Sequence, residues 1–143
     1  MSKVKSIPAV SLKNLIGMAP TFEMPVQINV RGADPVTIHM SCKAMGKLAW
    51  AKLRDASNDV MRDSAGARIK AAKEEEARLH VADVVSEAMQ SDVRLILEFA
   101  TKWDLEDELT ADNLQRLEES FGGAMRAMIE AYETAVYQSK LGN

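Results

Sequence analysis

The last third of the chain, from Trp103 to Asn143, reads WDLEDELTADNLQRLEESFGGAMRAMIEAYETAVYQSKLGN. Thr110 is a good helix N-cap, and Asp112 lies in the following turn, where a negative charge interacts favourably with the helix dipole. Gly122-Gly123 interrupts this helix, and a second helical pattern follows. We therefore predict an acidic loop followed by two packed helices, an αα-hairpin.

An apolar stripe with spacings of three and four residues runs through both predicted helices. Its members are Leu114, Leu117, Phe121, Met125, Met128, Ile129, Tyr132, Ala135 and Val136. Burial of each large side chain contributes roughly 1.5–3 kcal/mol before the entropy cost is subtracted. We interpret the stripe as core. The predicted partner-binding residues are therefore those of the acidic loop, Asp104, Glu106, Asp107 and Glu108, with the exposed side of the last helix.

A β-hairpin is predicted over about residues 21–42. Apolar and polar residues alternate from Thr21 to Val30, a turn cluster occupies 31–35, and alternation resumes from Val36 to Cys42. Pro25 cannot donate to a ladder, which indicates an open strand edge there. Because a two-stranded hairpin is marginal in water, we expect a helix to cover its apolar face; pairing of its edge with another chain is the alternative.

Beyond the hairpin, the apolar period becomes helical. The stripe comprises Met45, Leu48, Ala49, Leu53, Ala56 and Val60, widened by Trp50 and Met61. We predict a helix that is capped by Ser41, ends near Arg62 and stops at 63–66. A second helical stretch is predicted over 67–102, with apolar content that rises in its second half. Ser91-Asp92 either lies inside one helix or caps a further one.

These elements predict an α+β fold that is mostly α-helical, with the β-hairpin packed on a helical bundle. The chain has 143 residues, which fits a single domain, 1–143. Its predicted parts are an N-terminal arm (1–20), the hairpin (21–42), helices (43–102), and the acidic loop with the C-terminal helix pair (103–143).

Charge is distributed unevenly along the chain. Residues 1–50 carry six Lys or Arg and two Asp or Glu, whereas residues 80–143 carry five and thirteen. The acidic half repels phosphate, which disfavours a nucleic-acid partner, and the two ends could attract each other within one chain or between subunits. We find no apolar run long enough for a signal peptide or a membrane span. One cysteine, Cys42, allows no intrachain disulfide and fits a reducing cytoplasm.

The sequence shows no enzyme signature and predicts neither a cofactor nor a catalytic residue. Glu76, His80 and Asp83 fall on one helix face at metal-ligand spacing, but we interpret them as a solvated polar face. His39 is predicted to be exposed on the polar side of a strand, and Cys42 to be a small core residue. Phosphate-binding loops, nucleophile elbows and EF-hand loops are not found.

Residues of the hairpin and of the last third, taken in order, resemble a known family. The chain has Pro-Thr-Phe at 20–22, where the predicted hairpin begins, then a charged helical middle and a Trp-Asp-Leu followed by acidic residues. The matching positions in the last third are Trp103, Asp104, Leu105, Thr110, Asn113, Leu114, Leu117, Phe121, Ile129, Tyr132, Gly142 and Asn143. This pattern is similar to that of the tail assembly chaperones of tailed bacteriophages and prophages.

The resemblance implies a non-enzymatic protein that acts in the cytoplasm of the bacterial host and is absent from the finished virion. Its implied partners are the tape measure protein, a long apolar helical protein that such chaperones coat, and the tail tube protein. A homo-oligomer is possible. One alternative is a structural minor tail or capsid-completion subunit retained in the virion; another is a small enzyme or regulator.

Overall fold

The structure is a computed structural model that describes residues 5–75 and 80–141. Its elements are, in chain order, α1 (Leu12–Ile16), β1 (Thr21–Ile28), β2 (Val36–Lys43), α2 (Lys47–Glu75), α3 (Val81–Phe99), β3 (Ala100–Trp103), α4 (Ala111–Ser120) and α5 (Ala124–Gln138). The predicted α+β class, mostly helical with an N-terminal hairpin, is confirmed. The prediction of helices over 43–102 is wrong at its end, where β3 adds a third strand. The predicted stretch 67–102 is not one element, because residues 67–75 belong to α2 and α3 begins at Val81.

The three strands form one antiparallel sheet in the order β1-β2-β3. β1 pairs with β2 along its whole length, from Thr21 opposite Lys43 to Ile28 opposite Val36. The Ala44 N–H donates to the Pro20 carbonyl at 2.8 Å, so alternate positions from residue 20 onward are hydrogen-bonded to β2. Pro25 therefore falls where its missing N–H would face away from β2, and β1 is the edge that Pro25 predicted.

The core lies between the sheet and helices α2, α3 and α5. Trp50, Phe99 and Tyr132 are fully buried and form an aromatic cluster. The Phe99 and Tyr132 rings stack with centroids 4.0 Å apart, and Trp50 meets Tyr132 edge-on at 5.0 Å. The Tyr132 hydroxyl donates to the Lys43 carbonyl at 2.7 Å, which ties α5 to the end of β2. Helices of the chain itself therefore cover the apolar face of the hairpin, with α5 packed against β1.

Helix α2 departs from the prediction at both ends. Ser41 lies in β2 and does not cap the helix, which begins at Lys47. The predicted stop at 63–66 is wrong, because the helix continues through Gly66 to Glu75. Two members of the predicted apolar stripe, Leu48 and Val60, are exposed, whereas Trp50 is buried.

Polar contacts, not an apolar stripe, join the outer part of α2 to α3. The Ser57 and Ser91 hydroxyls are 2.8 Å apart, and Ser64 donates to Glu87 at 2.6 Å. Arg68 pairs with Glu87 and, at 3.4 Å, with Asp83. These contacts explain why α2 continues beyond the residues that have a helical apolar period. They also place Ser91 inside one continuous α3, which resolves the two alternatives for Ser91-Asp92.

The C-terminal helix pair forms as predicted. The Thr110 hydroxyl accepts a hydrogen bond from the Asn113 N–H at 3.2 Å, and the break falls at Gly122-Gly123. The Glu118 carboxylate accepts from the N–H groups of Gly123 and Met125, both at 2.9 Å, and so caps α5. The buried members of the predicted stripe are Leu114, Met125, Met128, Ile129 and Tyr132; Leu117, Phe121 and Val136 are partly buried.

Gly123 provides a test of this break. Its φ of 93° lies in the left-handed region, where a Cβ is strained. We expect Gly123→Ala to lower the free energy of unfolding by about 1–2 kcal/mol in chemical denaturation. The matched control is Gly122→Ala: Gly122 is also exposed and has free space around its Cβ position, but lacks a positive φ. Equal losses in the two variants would contradict the conformational explanation.

Candidate protein-binding surface

The acidic loop, residues 104–108, is anchored to the sheet by Asp104. Its Oδ1 accepts from the His39 N–H at 3.0 Å, and its Oδ2 lies 3.0 Å from His39 Nδ1. The Asp104 N–H donates in turn to the His39 carbonyl at 3.0 Å, which extends the β2–β3 ladder. The His39 N–H and imidazole hold the pKa of Asp104 below its usual range. His39 is exposed on the polar side of β2, as predicted.

The rest of the loop is held through its backbone. Trp103, which is buried, donates from Nε1 to the Asp107 carbonyl, and Asn113 donates from Nδ2 to the Glu108 carbonyl at 2.7 Å. The side chains of Glu106, Asp107 and Glu108 are exposed, and we find no hydrogen bond or ion pair of theirs within 5–75 and 80–141. The loop therefore presents three exposed carboxylates, with no partner in the part of the chain that the structure describes, on a fixed backbone.

Asp104 predicts a specific pH dependence of stability. A carboxylate whose pKa is lowered on folding stabilises the fold above the unfolded pKa, and this contribution is lost as pH falls through the folded pKa. Asp104→Asn should therefore lower the melting temperature at neutral pH and reduce its fall on acidification. Glu106→Gln, two residues away and without a partner among the described residues, should leave both unchanged. If the melting temperatures of Asp104→Asn and the wild type fell equally on acidification, this role would be contradicted.

A groove of about 800 Å³ separates α3 from α4. The α3 wall contributes Ala82, Val85, Ser86 and Met89, and the α4 wall contributes Asp112, Gln115, Arg116, Glu119 and Ser120. One wall is thus mainly apolar and the other is charged. Asp112 is only four residues beyond Glu108, so the charged wall begins close to the acidic loop. We call this feature the α3–α4 groove.

The α3–α4 groove was not predicted from the sequence. Its two walls come from helices that are separated by β3 and the acidic loop, and no sequence period links them. The available signal was local. Val85 is half exposed although it lies where the apolar content of the predicted 67–102 stretch rises. A helix with apolar residues around most of its circumference has more apolar surface than one neighbour can cover.

Most of the other residues named in the sequence analysis lie in the core, and Leu105 is the exception. Leu105 is exposed next to Asp104, whereas Trp103, Leu114, Ile129 and Tyr132 belong to the core. Burial raises the pKa of Cys42 to about 12, which keeps the thiol protonated as the core position predicts.

The residues at metal-ligand spacing are only partly described. His80 is exposed just before α3, and Asp83 is engaged with Arg68. Glu76, like the family-pattern positions Gly142 and Asn143, lies outside the described residues. Over 5–75 and 80–141 we find no cluster of three metal-ligating side chains, and no helix long and apolar enough to cross a membrane.

The whole chain, residues 1–143, matches a family model described as phage tail assembly chaperone. No curated protein and no solved structure matches the chain.

Proposed function

Since the chain belongs to the phage tail assembly chaperone family, we propose that it binds the tape measure protein and tail tube subunits during tail assembly. In this proposal it acts in the host cytoplasm, performs no catalysis and is absent from the finished virion. The α3–α4 groove and the acidic loop are the surfaces that would carry this function. The groove is the observation that carries the proposal.

The α3–α4 groove has the chemistry that an amphipathic helix requires. Ala82, Val85 and Met89 offer an apolar wall at helical spacing, and recognition of a helix in a groove uses apolar anchors at i, i+3, i+4 and i+7. The opposite wall carries two acidic residues, Asp112 and Glu119, and one basic residue, Arg116. Its net negative charge favours basic residues on the polar side of such a helix. A helical segment of the tape measure protein is the occupant we assign to it.

The acidic loop supplies the charge that would steer this partner. Exposed charges outside the centre of an interface increase the association rate and set orientation more than they increase affinity. We assign this role to Glu106, Asp107 and Glu108. Asp104, which was predicted with them, is engaged with His39, and we assign it to positioning the loop. Many modest contacts of this kind suit a chaperone that must later release its partner.

Val85→Asp tests the groove. A carboxylate there would be desolvated by a docked apolar face, so we expect binding to a tape measure protein from the same genome to weaken at least about tenfold. Leu48→Asp is the control, because Leu48 is also an exposed aliphatic residue on a helix but lies outside the groove. Quantitative pull-down with purified proteins measures both variants.

The outcomes distinguish the site from the function. Unchanged binding by Val85→Asp would remove the groove from the interface. Failure of the wild-type chain to bind either the tape measure protein or tube subunits would contradict the function itself. Mass spectrometry of purified virions separates the chaperone from the structural alternative, because a minor tail or capsid-completion subunit would remain in the particle.

A further inference from the structure

The outer edge of strand β1 carries backbone groups that have no hydrogen-bond partner in the part of the chain that the structure describes. Even-numbered residues of β1 exchange hydrogen bonds with β2, so the odd-numbered residues point their backbone groups away from the sheet. On this side β1 offers the N–H groups of Thr21, Glu23 and Gln27, and the carbonyl groups of these residues and of Pro25. An open strand edge of this kind is a template on which another extended chain can pair.

A groove of about 500 Å³ lies between this edge and α5, and we call it the β1–α5 groove. It is lined from β1 by Pro25 and Gln27, and from α5 by Ala127, Glu130, Ala131 and Thr134. Ala127, Ala131 and Thr134 are four and three residues apart and therefore share one side of the helix. Their short side chains leave room for the backbone of an added strand, which would lie about 4.8 Å from β1.

An extended polypeptide is the ligand that fits both the edge and the groove. A helix uses its backbone N–H and C=O groups internally, whereas an extended chain presents them at the same repeat as β1. The side chains of an extended segment alternate between two faces. One set would lie over Ala127 and Ala131, which selects small apolar residues, and the other would lie beside exposed Gln27 on the polar side of the sheet. The open edge from Thr21 to Gln27 is about 20 Å long, which matches a segment of about seven residues.

We propose that an extended segment of a tail tube subunit pairs with β1 and forms a fourth strand of the sheet. The inference rests on the proposed function, in which the chain binds two partners, and it gives the second partner a surface of its own. The occupant of the α3–α4 groove is a helix, so the tube subunit is the partner that remains for a strand. The two grooves share no lining residue, so one copy can hold a helix and a strand together. Main-chain hydrogen bonds supply affinity in such strand addition, and the neighbouring side chains supply specificity.

Pro25 limits the strength of this pairing. Its ring replaces one outward N–H group, so the middle of the new ladder lacks one hydrogen bond. Proline on an exposed edge also discourages pairing with unselected chains. The tube segment is therefore held less tightly than by an uninterrupted ladder, which allows its release during assembly.

Two substitutions of Gln27 test the pairing. Gln27→Pro and Gln27→Ala both remove the amide side chain, but only Gln27→Pro removes the outward N–H group, and neither breaks a hydrogen bond to β2. Surface plasmon resonance with a purified tail tube protein from the same genome should show about tenfold weaker binding for Gln27→Pro, because a carbonyl group of the tube segment loses its donor. Binding by Gln27→Ala should stay within about twofold of the wild type. Both variants should bind the tape measure protein as the wild type does.

Amide hydrogen exchange, resolved by NMR, tests the edge without any substitution. In the free protein the N–H groups of Thr21, Glu23 and Gln27 should exchange fast, whereas those of the even-numbered residues of β1 should be protected. Addition of the tube protein should slow the exchange of the three outward amides by at least about tenfold. Should Gln27→Pro fail to fold, this measurement on the wild type decides alone.

The remaining outcomes separate this inference from the proposed function. Equal binding by Gln27→Pro and Gln27→Ala, or outward amides that still exchange fast in the tube complex, would overturn the inference and leave the function standing. Slow exchange of these amides in the free protein would show that the edge is already covered, which also overturns it. A wild type that binds the tape measure protein but no tube subunit would refute the strand partner alone. Binding to neither protein would contradict the function together with the inference.

Discussion

Trp50→Ala should lower the free energy of unfolding by about 3–5 kcal/mol, as expected for loss of a fully buried aromatic side chain. The Trp50 ring meets Phe99 at 5.7 Å and Tyr132 at 5.0 Å, so its removal leaves a cavity where α2, α3 and α5 meet. Its Nε1 also donates to Glu133 at 3.3 Å, and Glu133 binds Arg54 at 3.0 Å. Because the free energy of unfolding of a domain is about 5–15 kcal/mol, this single change would remove a large part of it.

Chemical denaturation measures this loss, with Leu48→Ala as the control. Leu48 is two residues earlier in the same helix and is 77% exposed, so its truncation should change stability by no more than about 0.5 kcal/mol. Trp50→Phe separates packing from hydrogen bonding, since it keeps an aromatic ring and removes the donor. A loss below about 1 kcal/mol in Trp50→Ala would show that the aromatic cluster does not hold the helices on the sheet.

Much of the fold was predictable because its signals are local. The alternation of β1 and β2, the Thr110 cap and the Gly122-Gly123 break each depend on a few neighbouring residues. The stripe from Leu114 to Tyr132 has one clear period, and five of its seven residues in this span are buried. The fold class followed from these elements.

The errors arose where distant residues decide local structure. Helix α2 passes Gly66, although Gly costs about 1 kcal/mol relative to Ala in a helix, because Ser64 and Arg68 on either side bind Glu87 of α3. Strand β3 has only four residues and no period. Its pairing of Trp103 with Met40 joins positions far apart in the chain. Neither contact is visible in a window of neighbouring residues.

In the acidic loop, too, one feature depends on neighbouring residues and another depends on a distant residue. Its composition predicted a partner-binding loop, but composition could not separate Asp104 from the carboxylates that follow it. That separation depends on His39, which lies 65 positions earlier in the chain. The loop is therefore better described as one carboxylate that is bound to His39 and three that have no partner among the described residues, and the two kinds should respond differently to substitution.

Charge reversal of the three exposed carboxylates should reduce partner binding strongly while the fold remains intact. In Glu106→Lys/Asp107→Lys/Glu108→Lys, the Asp107 and Glu108 backbone carbonyls that hold the loop are retained. If the loop meets a basic surface, attraction becomes repulsion, and we expect about a hundredfold loss of affinity for the tape measure protein at low salt. Added salt should weaken wild-type binding and narrow this difference, because exposed charges are screened.

The matched control is Asp34→Lys/Asp55→Lys/Asp63→Lys, which changes the net charge of −3 by the same six units at other exposed acidic positions. Binding by surface plasmon resonance, with circular dichroism for folding, compares the two triple variants. Equal losses in both would indicate a general effect of net charge, and unchanged binding in the loop variant would remove the loop from the interface. Unfolding of the loop variant would show that Glu106, Asp107 and Glu108 also stabilise the fold. That outcome would contradict our assignment of this structural role to Asp104 alone.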